Sequence, residues 1–475
     1  MPPGPELGQS GPVALHPRAV ERLREVVGPH AVTDPEVVAS YTTDWTGRFV
    51  GHSPLVIRPR TTEEVAGVVT ACRELELALV PQGGNTGLVG GGVPLRGEVV
   101  LSLTGLGGLE PVDDRAGQIT VGAGVSLADL QAAASASGWS YGVDIASRGS
   151  ATVGGTVATN AGGLRVIRYG DTRAQVVGLE AVLGTGAVLS HLGGLVKDNT
   201  GYHWPSLVCG SEGTLAVVTA ARLRLVPPMP WRTVALLAFA TVDGALVAAG
   251  LLRRSLPSLE ACELVLSPGI DLVCTVTGLR PPFPVRHPVY LLIEVADRTD
   301  PTEATAEATA AIGNVLDAAV ATEPERRAEL WRYREAHTEA INTLGAPHKL
   351  DVTLPHEALA EFVDAAPAAV SAMVPAARTW LFGHVGDGNI HVNVTGLSPG
   401  DDRVDDMVLR MAAGLGGSIS AEHGIGTAKK RWLALSRSPA ELAAFRALKR
   451  ALDPDRVLNP NALLDADNRD VPAGS

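Results

Sequence analysis

At 475 residues the chain exceeds the size at which one hydrophobic core stops growing, so two or three domains with a large buried interior are expected. A formal net charge of −12, an isoelectric point near 5.5 and the lack of any Lys/Arg-rich run argue against nucleic acid and anionic membrane surfaces as partners. Cys72, Cys209, Cys262 and Cys274 are scattered without a CxxC spacing, which argues against a disulfide framework or zinc ribbon and favours reduced thiols in the cytoplasm.

Residues 1–15, opening MPPGPELGQSGP, lack the basic-then-apolar order of a secretory signal and read as a disordered lead-in. Residues 55–80 run strand, helix, strand: Leu55-Val56-Ile57, a helix opened by Thr61-Thr62-Glu63-Glu64, then Ala78-Leu79-Val80. They feed into the glycine-rich PQGGNTGLVGGGVP at 81–94. From 98 to 226 the pattern predicts mostly short apolar strands between glycine turns: Val99 to Leu103, Ile119 to Val121, Val176 to Leu183 and Leu215 to Val218. Pro227, Pro228 and Pro230 mark a boundary. The most apolar region, Thr233 to Leu252, is interrupted by Asp243-Gly244, so it reads as a strand then a helix rather than a membrane span. Residues 231–295 and 302–372 alternate strand and helix patterns, as in an α+β domain. A helical pattern around 438–452 precedes a Pro-punctuated tail, and no solenoid repeat is present.

Two phosphate-binding signatures are absent: no lysine precedes Ser or Thr, and no stretch completes GxGxxG. Three glycine-rich segments remain, at 81–94, ATVGGTVATNAGG at 151–163 and GSEGTL at 210–215. Each alone reads as turns. Together they suggest a dinucleotide gripped by backbone N–H groups, because glycine lets the main chain crowd an anion.

The stretch GHVGDGNIHVNV at 383–394 and AEHGIG at 421–426 carry the metal-ligating candidates. Ile390 to Val394 alternates apolar and polar residues, so His391 and Asn393 share one face of a half-buried strand. Gly386-Asp387-Gly388-Asn389 reads as a tight turn that folds His384 back toward His391. Two imidazoles with Glu422 suit zinc or a related divalent ion and leave a coordination position open, with His423 spare as a base.

Those glycine segments, KDNTGY at 197–202, and GHVGDGNIHVNV with EHGIG together resemble the FAD-linked dehydrogenases of the vanillyl-alcohol oxidase fold, in particular those of D-2-hydroxyglutarate and their D-lactate and glycolate relatives. The resemblance spans about residues 40 to 465. It implies an α+β architecture: a two-subdomain FAD-binding domain over 16–227, a substrate or cap domain over 228–417, and a C-terminal segment, 418–475, returning to the flavin. It implies non-covalent FAD whose pyrophosphate is cradled by Pro81, Gly83, Gly84, Asn85, Thr86 and Gly87. Ser147, Gly149, Thr152, Gly154, Gly155, Asn160 and Gly163 would line the ADP and flavin-proximal path, Glu212 and Gly213 the nucleotide end, and Asn459 the isoalloxazine. NPNA at 459–462 and Thr156 depart from the NPGK and Asn usual in the family.

At the substrate end the resemblance implies contacts from Arg334, Thr338 and Lys349. Arg334 and Thr338, four apart in the helical stretch WRYREAHTEA at 331–340, share a face. Lysine is scarce, five against 34 arginines, and a guanidinium fork with a separate ammonium suits two carboxylates. The expected reaction is metal-assisted oxidation of a D-2-hydroxy acid, with His384, His391 and Glu422 on the metal, His423 as base, Asn393 on the substrate carboxylate, and hydride passing from C2 to flavin N5. The alternatives are a D-lactate or glycolate dehydrogenase, a flavin-carrying subunit of a larger complex, and a metal-dependent hydrolase without flavin. An electron-transfer flavoprotein or quinone is the expected acceptor, and general frequency favours a homodimer.

Overall fold

The computed structural model describes residues 15–465. The expected lead-in therefore lies, except for Leu15, outside the described residues, as do residues 466–475 at the tail. Among the described residues no helix is long and apolar enough to cross a membrane.

Three sheets organise the chain. The first has four strands in the order Ala31–Val32, Val56–Ile57, Val99–Ser102, Leu79–Gln82, parallel except for the first pair. The helix Thr62–Glu74 makes the crossover between parallel strands, and its N-terminus is capped by Thr61, whose hydroxyl accepts from the Glu64 amide at 3.2 Å. The second sheet, all antiparallel, orders Gln118–Gly122, Ala216–Arg224, Val176–Leu183 and Val188–His191. Both sheets share one apolar core, from Leu23 through Leu79, Val121 and Leu179 to Leu225. The tail rejoins this core: Val457 and Leu458 are buried in it, and Asn459 N donates to Leu79 O at 2.8 Å.

The expectation of mostly strands over 98–226 is corrected by helices at Leu127–Ala136 and Val153–Thr159. The second was hidden by its glycines. A Cβ on Gly154 would collide with Ala123, so glycine lets the helix start press against the end of a strand. Thr152 caps it, and Asn160 ends it in the left-handed conformation at φ 53°.

The third sheet has seven antiparallel strands in the order Asp317–Ala321, Trp231–Phe239, Val289–Asp297, Leu259–Leu266, Arg378–His384, Asn389–Thr395, His348–Thr353. Its central strands read as continuous apolar runs because both faces are covered. In Trp231–Phe239, Ala235, Leu237 and Phe239 join one core while Val234, Leu236 and Ala238 join another. Helices Val242–Ser255, His356–Met373 and Arg403–Gly414 contribute to the first of these. At the other end of the sheet the face opposite those helices is polar, and the functional residues stand there.

Candidate active site

The strand period places the site. On the four last strands in sheet order, Leu264, Leu381, Ile390, Val392, Val394, Leu350 and Val352 turn into the helix-covered core. The intervening Glu263, Phe382, His384, His391, Asn393, Lys349 and Asp351 therefore point the other way. Register aligns them: Glu263 lies opposite His384, His391 opposite both Phe382 and Asp351, and Asn393 opposite Lys349. This face looks into a cavity of about 960 Å³ whose other walls are the glycine-rich segments of the first two sheets.

The two histidines and the glutamate meet. His384 Nε2 lies 3.3 Å from His391 Nε2, and each lies 3.7 Å from Glu422 Oε1. Donors about 2.0–2.2 Å from one ion stand about 3.3 Å apart on a tetrahedral edge, so the set fits a divalent cation. Each imidazole is oriented from behind by a carboxylate, as metal-ligating histidines usually are. His384 Nδ1 donates to Glu263 Oε1 at 2.6 Å, and His391 Nδ1 lies 3.4 Å from Asp351 Oδ1. Burial opposes the charge on His384, but the carboxylates of Glu263 and Glu422 push its pKa up to about 10. A cation held at Nε2 would have to displace the proton there. Burial likewise opposes the charge on Glu422, but His384 holds its pKa down at about 2.

Asp351, His391, Glu422 and His423 also lie within 4.8 Å of one another, but Asp351 is committed elsewhere. Its Oδ2 accepts from the amides of Ala421, Glu422 and His423 at 3.1, 2.8 and 3.0 Å, and its Oδ1 from Asn389 Nδ2 at 2.6 Å. From the other side Gly163 N donates to Glu422 Oε2 at 3.0 Å. Glu212 accepts from Ile425 N and Gly426 N at 2.8 and 2.7 Å. The EHGIG loop is thus held by the seven-stranded sheet and by the glycine-rich unit at once.

Around the cavity, Pro81, Gly83, Gly84, Asn85, Thr86, Gly87, Ser147, Thr152, Gly154, Gly155, Gly163, Glu212 and Gly213 line the wall where the dinucleotide was expected. The cradle fits such a group: a Cβ on Gly83 would strike Thr152 and one on Gly84 the Ser150 carbonyl, so the backbone approaches as only glycine permits. Gly84→Ala is expected to yield protein that loses most of its bound FAD on dialysis, scored by absorbance, because the obstacle is backbone and cannot swing aside.

Three cofactor candidates do not line the cavity. Gly149 is solvent-exposed. Asn160 spends its side chain on Asp171, at 2.7 Å, and on the Arg173 amide, at 2.9 Å. Asn459 lies behind the wall and donates to Gly91 O and Glu212 O at 2.9 and 2.7 Å. Glu212 lines the cavity, and both of its oxygens hold the EHGIG loop.

Arg334, Thr338, Lys349, Asn393 and His423 all line the cavity. The helix carrying the first two is not continuous as expected: one segment, Pro324–Glu335, ends at Ala336 and another, His337–Asn342, begins after it. Arg334 is buried, with Nε donating to Glu263 Oε2 at 2.6 Å and the guanidinium 4.5 Å from the Phe382 ring centroid. Lys349 Nζ stands 5.0 Å from the centre of the Trp45 ring, a cation–π contact across the cavity, and burial lowers its pKa.

Sequence reasoning missed Glu263 and Asp351. Each had a signal: Glu263 is the charged residue inside the otherwise apolar segment ACELVL at 261–266, and Asp351 follows Lys349 by two on the same strand face.

Residues 53–191 match the FAD binding domain family, and residues 229–463 match the family described as FAD linked oxidases, C-terminal domain. The chain is 38% identical over 474 residues to the D-2-hydroxyglutarate dehydrogenase of Xanthomonas citri pv. viticola, covering 96% of this chain and 99% of that one. It is 39% identical over 463 residues to the mitochondrial D-2-hydroxyglutarate dehydrogenase of Bos taurus, covering 93% and 82%. Among solved structures, p-cresol methylhydroxylase with substrate bound superposes with a TM-score of 0.76 at 15% identity, covering 95% of this chain and 98% of that one. The 4-ethylphenol oxidase from Gulosibacter chungangensis gives 0.73 at 18%, covering 94% and 97%. These two show the vanillyl-alcohol oxidase type of fold, and the FAD-binding match sets aside a hydrolase without flavin. With a glycine cradle, a polar sheet face and sequence relatives along nearly its whole length, the chain belongs to the FAD-linked oxidase family that includes these D-2-hydroxyglutarate dehydrogenases, and it is an FAD-dependent oxidoreductase acting on a CH–OH donor.

Proposed function

We propose that the protein oxidises the C2 hydroxyl of a D-2-hydroxy dicarboxylate, D-2-hydroxyglutarate first among them, to the 2-oxo acid with the help of a divalent cation. One observation carries this reading: Arg334, Lys349, Asn393 and His423 converge on the same cavity wall as His384, His391 and Glu422. The names of the bacterial and bovine relatives support it.

His384, His391 and Glu422 would hold the cation, and zinc suits two imidazoles with a carboxylate. The cation supplies Lewis acidity that lowers the pKa of a hydroxyl beside it. The flavin supplies, at N5, an acceptor for the hydride leaving C2. His423 takes the hydroxyl proton, since its Nε2, 3.7 Å from Glu422 Oε1, faces the ligand set and is engaged by no hydrogen bond among the described residues. Asn393 and the outer edge of Arg334 orient the substrate.

Charge matching favours a diacid. On this sheet face Glu263 offsets Arg334, and Glu422 offsets half the charge of a divalent ion. The ion's second charge and Lys349 are left for two carboxylates. Lys349 has no carboxylate partner among the described residues, so burying it favours an incoming anion. Lys349→Ala is expected to lower kcat/KM for D-2-hydroxyglutarate and D-malate about 10- to 100-fold, the worth of a charge-assisted hydrogen bond, and to leave D-lactate nearly unchanged. Equal losses on diacids and on D-lactate would reject Lys349 as the distal carboxylate's partner.

In the same proposal the reduced flavin passes its electrons to an electron-transfer flavoprotein or a quinone, and the four unpaired cysteines suit the reducing cytoplasm.

A further inference from the structure

Glu263 is not among the residues that line the cavity, yet its carboxylate joins a group from each task. The residue is wholly buried. Oε1 accepts from His384 Nδ1 and Oε2 from Arg334 Nε, both at 2.6 Å. We propose that Glu263 is a positioning residue that sets, with one oxygen each, the cation-facing nitrogen of His384 and the substrate-facing edge of Arg334. The proposal rests on the functional reading of this same site.

The chemistry of the carboxylate makes the assignment. An ionised carboxylate only accepts, so its contact with Nδ1 fixes the hydrogen there and leaves Nε2 of His384 for a cation. The other oxygen occupies Nε of Arg334, and the Phe382 ring lies against the guanidinium plane, 4.5 Å from its carbon to the centroid. Two contacts fix that plane, and among the described residues the terminal nitrogens have no hydrogen-bond partner. They are the edge offered to the cavity that Arg334 lines. Glu263 and His384 are also direct cross-strand partners, so the arrangement is set by the sheet register and not by a mobile loop.

An amide cannot reproduce this. Glutamine at 263 has one acceptor and one donor end. Turned to accept from Arg334, it presents N–H to His384, which must then accept at Nδ1 and carry its hydrogen on Nε2, toward the cation. Turned to accept from His384, it sets N–H against the Nε–H of Arg334. The first orientation keeps both contacts but reverses the one to His384 and turns its tautomer, and the second loses the bond to Arg334.

The test titrates Zn²⁺ into chelator-stripped, FAD-loaded protein in competition with a chromophoric chelator, and measures KM for D-2-hydroxyglutarate at saturating Zn²⁺. Glu263→Gln should weaken Zn²⁺ binding about 10- to 100-fold, as the loss of a ligand's hydrogen-bond partner does elsewhere. The double variant Glu263→Gln with Arg334→Met frees the amide to accept from His384. It should recover most of the Zn²⁺ affinity while KM stays raised, a split that general loosening of the core would not produce. Zn²⁺ affinity unchanged in Glu263→Gln, or no recovery in the double variant, overturns the proposal. If Glu263→Gln fails to fold, the double variant compared with wild type decides alone: near-normal Zn²⁺ affinity with raised KM supports the proposal, and weak Zn²⁺ binding overturns it. Wild-type protein that takes up no Zn²⁺ would instead overturn the functional reading itself.

Discussion

His423→Ala is expected to slow reduction of the bound flavin by D-2-hydroxyglutarate about 100- to 10,000-fold, the range a positioned base contributes, while the flavin absorption spectrum stays intact. The placement of His423 is the reason. Its backbone amide is held by Asp351 Oδ2 at 3.0 Å, and its ring stacks on that of His391, with centroids 5.5 Å apart and planes 12° from parallel. The ring is thereby fixed without either nitrogen being spent on a hydrogen bond, since Nδ1 stands 3.8 Å from Asp351 and Nε2 3.7 Å from Glu422. Alanine removes the base and leaves His384, His391, Glu422 and the glycine cradle untouched. Anaerobic stopped-flow mixing reads the rate directly, and a rate equal to wild type would reject His423 as the base.

Removing the cation should cost as much. Lewis-acid stabilisation is worth several kcal/mol, and each 1.36 kcal/mol is a factor of ten, so exhaustive chelation is expected to lower turnover about 100- to 10,000-fold. FAD should remain bound through chelation. The cavity wall expected to hold it is drawn from residues 81–92, 144–163 and 212–218, and the ligand histidines come from a different sheet. Returning zinc or another divalent ion should restore turnover. Full activity in protein shown to be metal-free would remove the cation from the mechanism.

What the sequence disclosed, and what it hid, follows from the range of the interactions. The alternation of Ile390 to Val394 and the Gly386–Asn389 turn are local signals, and they were enough to bring His384 and His391 to one face. The strand and the helix within Thr233 to Leu252 were legible because Asp243-Gly244 interrupts the apolar run, close to where Trp231–Phe239 ends and Val242–Ser255 begins. Glu263 was not legible as a site residue, because it stands 121 residues from His384 and only the sheet order makes them neighbours. Asp351 reaches the 421–423 amides by a connection 70 to 72 residues long. The helix at Val153–Thr159 was masked because glycine serves close packing there, whereas its local propensity points to a turn. Asn160 and Asn459 sit in glycine-rich or tail motifs that suggest ligand contact. Both take positive φ, at 53° and 38°; the Asn160 amide bonds the Asp171 carboxylate and the Arg173 amide, and the Asn459 amide bonds two backbone carbonyls. Arg334 was expected to face a substrate carboxylate, and no local pattern announced the protein carboxylate, Glu263, that its Nε meets.

A single cavity that brings flavin, cation and a D-2-hydroxy diacid together is tested most directly by anaerobic titration of the purified, FAD-loaded, metal-replete protein with D-2-hydroxyglutarate. One equivalent of acid should bleach one equivalent of flavin and leave an equal amount of the 2-oxo acid. A flavin that stays oxidised under excess D-2-hydroxyglutarate, or that D-lactate bleaches as readily, would contradict the proposed site.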